Sequence, residues 1–183
     1  MNNELAQQIF RAGLRGELIN RLSMTPTGMT DNPLYNELFE NETEYRQLYN
    51  ALPFELVSIG TEAYLIRESD QTEPYMVVAR NIQVLLDLIA RGLQSCGLMP
   101  ELIEPEGFGL TRDYIDRFDK EEDFSDILHA CGMSRKISTE IDNVLLGRKI
   151  ANWNQSDRLV LTTGGKAFFT ELHQEEPVVS EDQ

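Results

Sequence analysis

Between residues 75 and 94 the polar residues Arg80, Gln83, Asp87, Arg91 and Gln94 recur at steps of three and four. At 3.6 residues per turn they fall on one narrow strip of a helix, and most of the remaining circumference is aliphatic. Such a helix is stable only when it is covered on most sides. The chain before and after it must therefore supply the cover, and Gly97 marks its end. A dimer contact along the same helix is the other use for its apolar surface.

The preceding residues supply short elements. Residues 4–22 read as an amphipathic helix with Leu5, Ile9, Phe10, Leu14, Leu18 and Leu22 as its stripe. Gly13 and Gly16 weaken it, each by up to about 1 kcal/mol relative to alanine. Residues 23–31, with Pro26 and Gly28, read as a loop. Asn32 followed by Pro33 is a cap and a first-turn proline, ahead of a face made of Leu34, Tyr35, Leu38 and Phe39. Asn41 and Glu44 have capping-box spacing before a second stripe of Tyr45, Leu48, Tyr49 and Leu52. Strands are expected over 54–59 and 63–66 with a turn at Gly60-Thr61-Glu62, and residues 68–73 form a polar linker.

The following residues repeat that order. After a connector at 100–109, Thr111 starts a helix marked by Leu110, Tyr114, Ile115 and Phe118. A second carries Phe124, Ile127, Leu128 and Cys131 and ends at Gly132. A third follows Ser134 as its cap, with Ile137, Ile141, Val144 and Leu145 on one face and Gly147 as a left-handed end. Strands over 150–154 and 158–162 flank a Gln155-Ser156-Asp157 turn, and Gly164-Gly165 breaks the chain before a last helical turn or two. Helices closing on a hairpin are the layout of a winged helix. The fold class expected is α+β, mainly α: tandem winged-helix domains at 1–72 and 108–172, bridged by a linker helix and connector at 73–107. An acidic tail at 173–183 is expected to be disordered. The duplication is one of pattern, without an alignable repeat.

The chain of 183 residues has a net charge of −15 and a pI near 4.5. Phosphate binding is mainly the work of lysine and arginine, so this is not the composition of a free-standing nucleic-acid binder. Cys96 and Cys131 lie far apart, without disulfide or zinc spacing, which fits a reducing cytoplasm. The start MNNELAQQ is not the pattern of a signal peptide, and no apolar run is long enough for a membrane span, so no membrane partner is expected. No active site is legible. His129 and His173 have no nucleophile motif around them. Gly164-Gly165-Lys166 fails the phosphate-loop spacing, and the acid-rich residues 116–126 lack a calcium-loop glycine. No catalytic residue, cofactor or metal is assigned. Charge is uneven, however. Residues 133–166 hold six basic and three acidic residues, +3, which leaves −18 for the remainder. Arg135 and Lys136 start the third helix, and Arg148, Lys149 and Arg158 surround the hairpin. These five are the candidate DNA contacts, with ordinary surface charge as the alternative. Five phosphate contacts on a repelling body would give weak, salt-sensitive binding. Trp153 is either an exposed anchor or packed against Leu159 or Leu161.

Three stretches, IFRAGLRGELI (9–19), EYRQLYNALPFELVSIGTEAYLIRES (44–69) and LLGRKIANWNQSDRLVLTTGGKAFF (145–169), together with the long middle helix, resemble the MukE/MksE family. These are the small tandem winged-helix, non-SMC subunits of bacterial condensins. The chain is shorter than typical MukE and has no long charged C-terminal extension, which favours the MksE-type or plasmid-defence (Wadjet-type) branch. The resemblance implies a homodimer without catalytic activity that binds a kleisin subunit and, through it, an SMC-type ATPase. It further implies a cytoplasmic, nucleoid-associated role in chromosome organisation and segregation or in plasmid exclusion, with DNA met weakly or only inside the complex. The competing readings are a winged-helix transcription regulator, which the acidic pI disfavours, and an adaptor that uses its winged helices only for protein contacts.

Overall fold

The computed structural model describes residues 1–25, 28–69 and 72–174. Its first sheet has three antiparallel strands, β1 (Ile19–Asn20), β4 (Phe54–Ile59) and β5 (Ala63–Glu68), in the order β1-β5-β4. Successive strand residues face opposite sides, and here both sides are buried. Leu56, Tyr64 and Ile66 face one apolar cluster. It is completed by Ile9 and Ala12 of α1 (Asn3–Leu14), Tyr35 and Leu38 of α2 (Pro33–Glu40), and Tyr45 and Tyr49 of α3 (Glu42–Asn50). Ile59, Ala63 and Leu65 face a second, larger cluster organised on α4 (Thr72–Ser95). Burial on both faces explains why residues 63–66 read Ala-Tyr-Leu-Ile, without polar alternation.

On α4, Ile82, Leu85, Leu86, Ile89 and Leu93 are buried. Arg80, Asp87, Arg91 and Gln94 are exposed and Gln83 is half-buried, which is the polar strip expected from the spacing. The cover comes from α5 (Arg112–Phe118), α6 (Glu122–Ala130) and α7 (Ile137–Glu140, continued as π turns over Ile141–Leu146). A hairpin of β6 (Ala151–Trp153) and β7 (Leu159–Leu161) follows, with Leu110 bridged to Leu159 beside it, and α8 (Thr163–Gln174) comes last. Asn32 caps α2 as expected, its side chain accepting from the Leu34 N–H at 3.0 Å.

Several local expectations change. The first helix stops at Leu14 because Gly16 takes φ +63, a left-handed conformation that ends helices. Leu22 therefore belongs to β2 (Leu22–Thr25), which pairs with β3 (Gly28–Asp31) where a loop was expected. Phe39, Leu48 and Leu52 are 63%, 40% and 44% exposed, because α2 and α3 are short and bury only their Tyr35–Leu38 and Tyr45–Tyr49 sides. Asn41 stands at the N-cap of α3 without a side-chain capping bond. Ser134 does not cap α7. That helix starts after Lys136, and the Asp119 carboxylate accepts from Ser138 N at 3.0 Å and Ser138 Oγ at 2.5 Å in its place.

Two glycine readings change as well. Gly147 has φ −59 and is not the left-handed residue. The π turns carry the coil further, and Lys149 takes φ 60. The reason for glycine at 147 is space, since a Cβ would lie 2.6 Å from the Asn143 carbonyl oxygen. Gly164 and Gly165 lie inside the first turn of α8 and do not break it. They let that turn press against Asn20 and the Ile150 carbonyl, where a Cβ would collide. Helix α8 runs through the first two residues of the expected tail, ending at Gln174; the acidic segment from residue 175 onward, loop residues 26–27 and linker residues 70–71 lie outside the described residues.

Candidate functional site

The five candidate cations lie at both ends of α7 and on the hairpin after it. Arg135 is exposed but ion-paired, its guanidinium 3.0 Å from Asp126 of α6. Lys136, at the N-cap of α7, and Lys149, in its left-handed turn, are exposed; Arg158, before β7, is half-exposed. None of these three has an ion pair among the described residues. Arg148 differs from the others. It is half-buried, and Nη1 reaches the Gly16 carbonyl at 3.5 Å. Burial lowers its pKa from the ordinary arginine value. The cationic segment also meets acids from elsewhere in the chain. Lys166 donates to Glu104 at 2.6 Å, which raises the lysine's pKa.

Residues 148–149 also form a joint between the N-terminal sheet and the C-terminal hairpin. The Leu18 N–H donates to the Arg148 carbonyl at 2.8 Å. Asn20, 5% exposed, donates through Nδ2 to the Lys149 carbonyl at 2.9 Å and accepts at Oδ1 from Gly164 N at 3.1 Å. Thr162 Oγ1 donates to the same Lys149 carbonyl at 3.0 Å. Buried polar groups are costly unless satisfied, so this small network fixes the angle between the two parts as well as joining them. Sequence reading missed Asn20, which it placed inside the first helix. The only available signal was Gly16, which stops that helix before Asn20 and leaves a buried amide needing partners.

Trp153 is half-buried, and the Arg112 guanidinium sits 4.0 Å above its ring. Arg112 is held by two 2.9 Å bonds to Asp157, which raise the arginine's pKa and lower the aspartate's. The tryptophan is therefore neither a bare anchor nor simply packed on Leu159, its cross-strand partner. In the N-terminal part, Arg46 donates to Glu42 at 2.7 Å and to the Leu56 carbonyl at 2.6 Å, and Tyr64 donates to the other Glu42 oxygen at 2.8 Å. The one arginine of α3 is thus engaged in holding that helix to the sheet.

Among the described residues no group of three or more His, Cys, Asp or Glu is placed to hold a metal, and no helix is long and apolar enough to cross a membrane. What the residues assemble instead is a hydrogen-bonded joint between the N-terminal sheet and the C-terminal hairpin, with the candidate cations on the C-terminal side. The family model for the condensin complex protein MksE matches residues 4–173, and the chain belongs to that family. It is therefore a component of a condensin-like, multi-subunit complex. No curated protein and no solved structure matches it.

Proposed function

We propose that the chain is a non-catalytic, kleisin-binding subunit that acts as a homodimer within an SMC-type complex. In this reading the complex organises and segregates the chromosome or excludes plasmids. The family match is the observation that carries the proposal. The net charge of −15 supports a body that docks on a protein partner and meets DNA only inside the assembly.

The winged-helix reading of both halves belongs to the same proposal. In the first half β1 pairs with β5, the last strand of its hairpin; in the second, Leu110 pairs with Leu159 in the last strand of its hairpin. Both halves thus follow one strand order, with α4 serving as the first helix of the second. DNA contact is assigned to Lys136, Lys149 and Arg158, with Arg135 available once it leaves Asp126. Arg148 is turned into the joint and is not assigned to DNA.

Affinity purification of the tagged chain from its native cell tests the reading. Recovery of a large coiled-coil ATPase with a kleisin-like subunit is the expected result. Recovery of the chain alone, with tight binding to a single DNA sequence, would overturn it in favour of a transcription regulator.

A further inference from the structure

A cavity of about 250 Å³ opens where the end of α1, strand β5, helix α4 and the Arg148 turn meet. Its walls are apolar, Leu18, Leu65, Val78, Ile82 and Phe168 among them, and Leu14 stands at its rim, 60% exposed. Among the described residues its charged lining is Arg15, Arg67, Arg148 and Glu68, three cations against one anion, on a chain whose net charge is −15. Two of the three cations are engaged, Arg15 with Glu17 and Arg67 with Glu55 at 2.8 Å. Arg148 is not. It has no ion pair among the described residues, and its 3.5 Å contact to Gly16 is at the limit of a hydrogen bond. A guanidinium carries five donors in a planar fork and remains charged in proteins. Holding one half out of water beside an apolar cavity, with its fork nearly empty, is unfavourable unless an anion completes it.

We propose that this cavity receives a segment of another subunit of the complex, with an apolar side chain entering the cavity and a neighbouring carboxylate closing on Arg148. The chemistry selects such a partner on two counts. The walls take an aliphatic or aromatic group, and the fork takes a carboxylate in paired hydrogen bonds. The cavity lies beside the joint between the N-terminal sheet and the C-terminal hairpin, so its occupant would also brace that joint. The inference rests on the chain being a complex subunit and deepens that reading by naming where a partner docks.

The test places a photo-crosslinking residue at position 14 of the full chain in its native cell and maps the products. The expected product joins position 14 to a segment of a co-purifying subunit that carries Asp or Glu beside an apolar residue. Yield falls at least about tenfold with Arg148→Gln, because a desolvated charge pair has lost one partner. Leu14→Glu, a change at an exposed rim that leaves folding intact, weakens recovery of the same subunit in the chain without the crosslinker. Arg148→Glu is rescued by reversing the acid in the crosslinked segment to lysine. Crosslinks only to a second copy of the chain would overturn the inference. So would full recovery of the complex with no product at position 14, which leaves the proposed function standing. Failure to recover any complex from the unmodified chain removes both.

Discussion

Replacing Asn20 with alanine tests the joint that holds the N-terminal sheet to the turn before the C-terminal hairpin and to α8. The side chain makes two buried bonds, to the Lys149 carbonyl at 2.9 Å and from Gly164 N at 3.1 Å. After truncation the Lys149 carbonyl still accepts from Thr162 Oγ1 at 3.0 Å, but the Gly164 N–H is left without its partner in the first turn of α8. Two lost bonds at about 0.5–1.5 kcal/mol each, plus one stranded buried donor, give a loss of about 2–4 kcal/mol. For a chain of this size that lowers the melting temperature by about 4–16 °C. A urea titration followed by circular dichroism should show an earlier midpoint with an unchanged slope, because the surface exposed on unfolding is the same. Asn20→Asp keeps the acceptor, loses the donor and buries a charge, so it should be at least as damaging. A loss below about 0.5 kcal/mol for Asn20→Ala would refute the assignment of Asn20 as a satisfied, load-sharing link.

Four further outcomes follow from the same geometry. Gly165→Ala drives a methyl into the Ile150 carbonyl and should lower the melting temperature more than Gly132→Ala, whose added methyl meets open space and whose cost comes only from φ +77. Burial raises the Tyr49 phenol from 10.0 to about 12 and moves Tyr45 and Tyr64 upward too. An unfolded tyrosine ionises near 10.0, so this stability is fully present below pH 10 and is lost as pH rises toward 12 and beyond. The tyrosinate absorbance of these three buried phenols should therefore appear together with unfolding. Arg112→Ala uncovers the chain's single tryptophan, Trp153, and should shift its emission to the red and increase iodide quenching. Reversing Lys136, Lys149 and Arg158 to glutamate should flatten the salt dependence of DNA retention by the assembled complex by about three in log–log slope. An unchanged slope would remove these residues as contacts.

The legible parts of this fold were those with a strong, local period. The strip on α4 was readable because Arg80, Asp87, Arg91 and Gln94 repeat at helical spacing, and it lies where that spacing puts it. The hairpin of 54–59 and 63–66 was readable from its apolar and aromatic runs around a glycine turn, and its second strand runs on to Glu68. Less legible were features that depend on distant partners. Leu18 and Leu22 continue the stripe of α1 by number, and only the left-handed turn at Gly16 removes them from it. The pairing of β2 with β3 lacks an apolar alternation, since Met29, Thr30 and Asp31 are exposed. Gly164-Gly165 suggests a breaker in isolation, whereas its reason lies at Asn20 and Ile150, far away in sequence. Among the candidate cations, charge and spacing placed Arg148 and Lys149 together. The structure separates them, because the left-handed turn at Lys149 leaves one outside and the other lining a cavity.

The most direct test of the central claim is the mass and composition of the particle that carries this chain, measured by native mass spectrometry after gentle purification from its own cell. The account predicts an assembly containing an SMC-type ATPase, a kleisin subunit and two copies of this chain, with no free monomer pool of comparable size. A chain recovered as a lone monomer or dimer, at the concentration and salt of the cell, would contradict it.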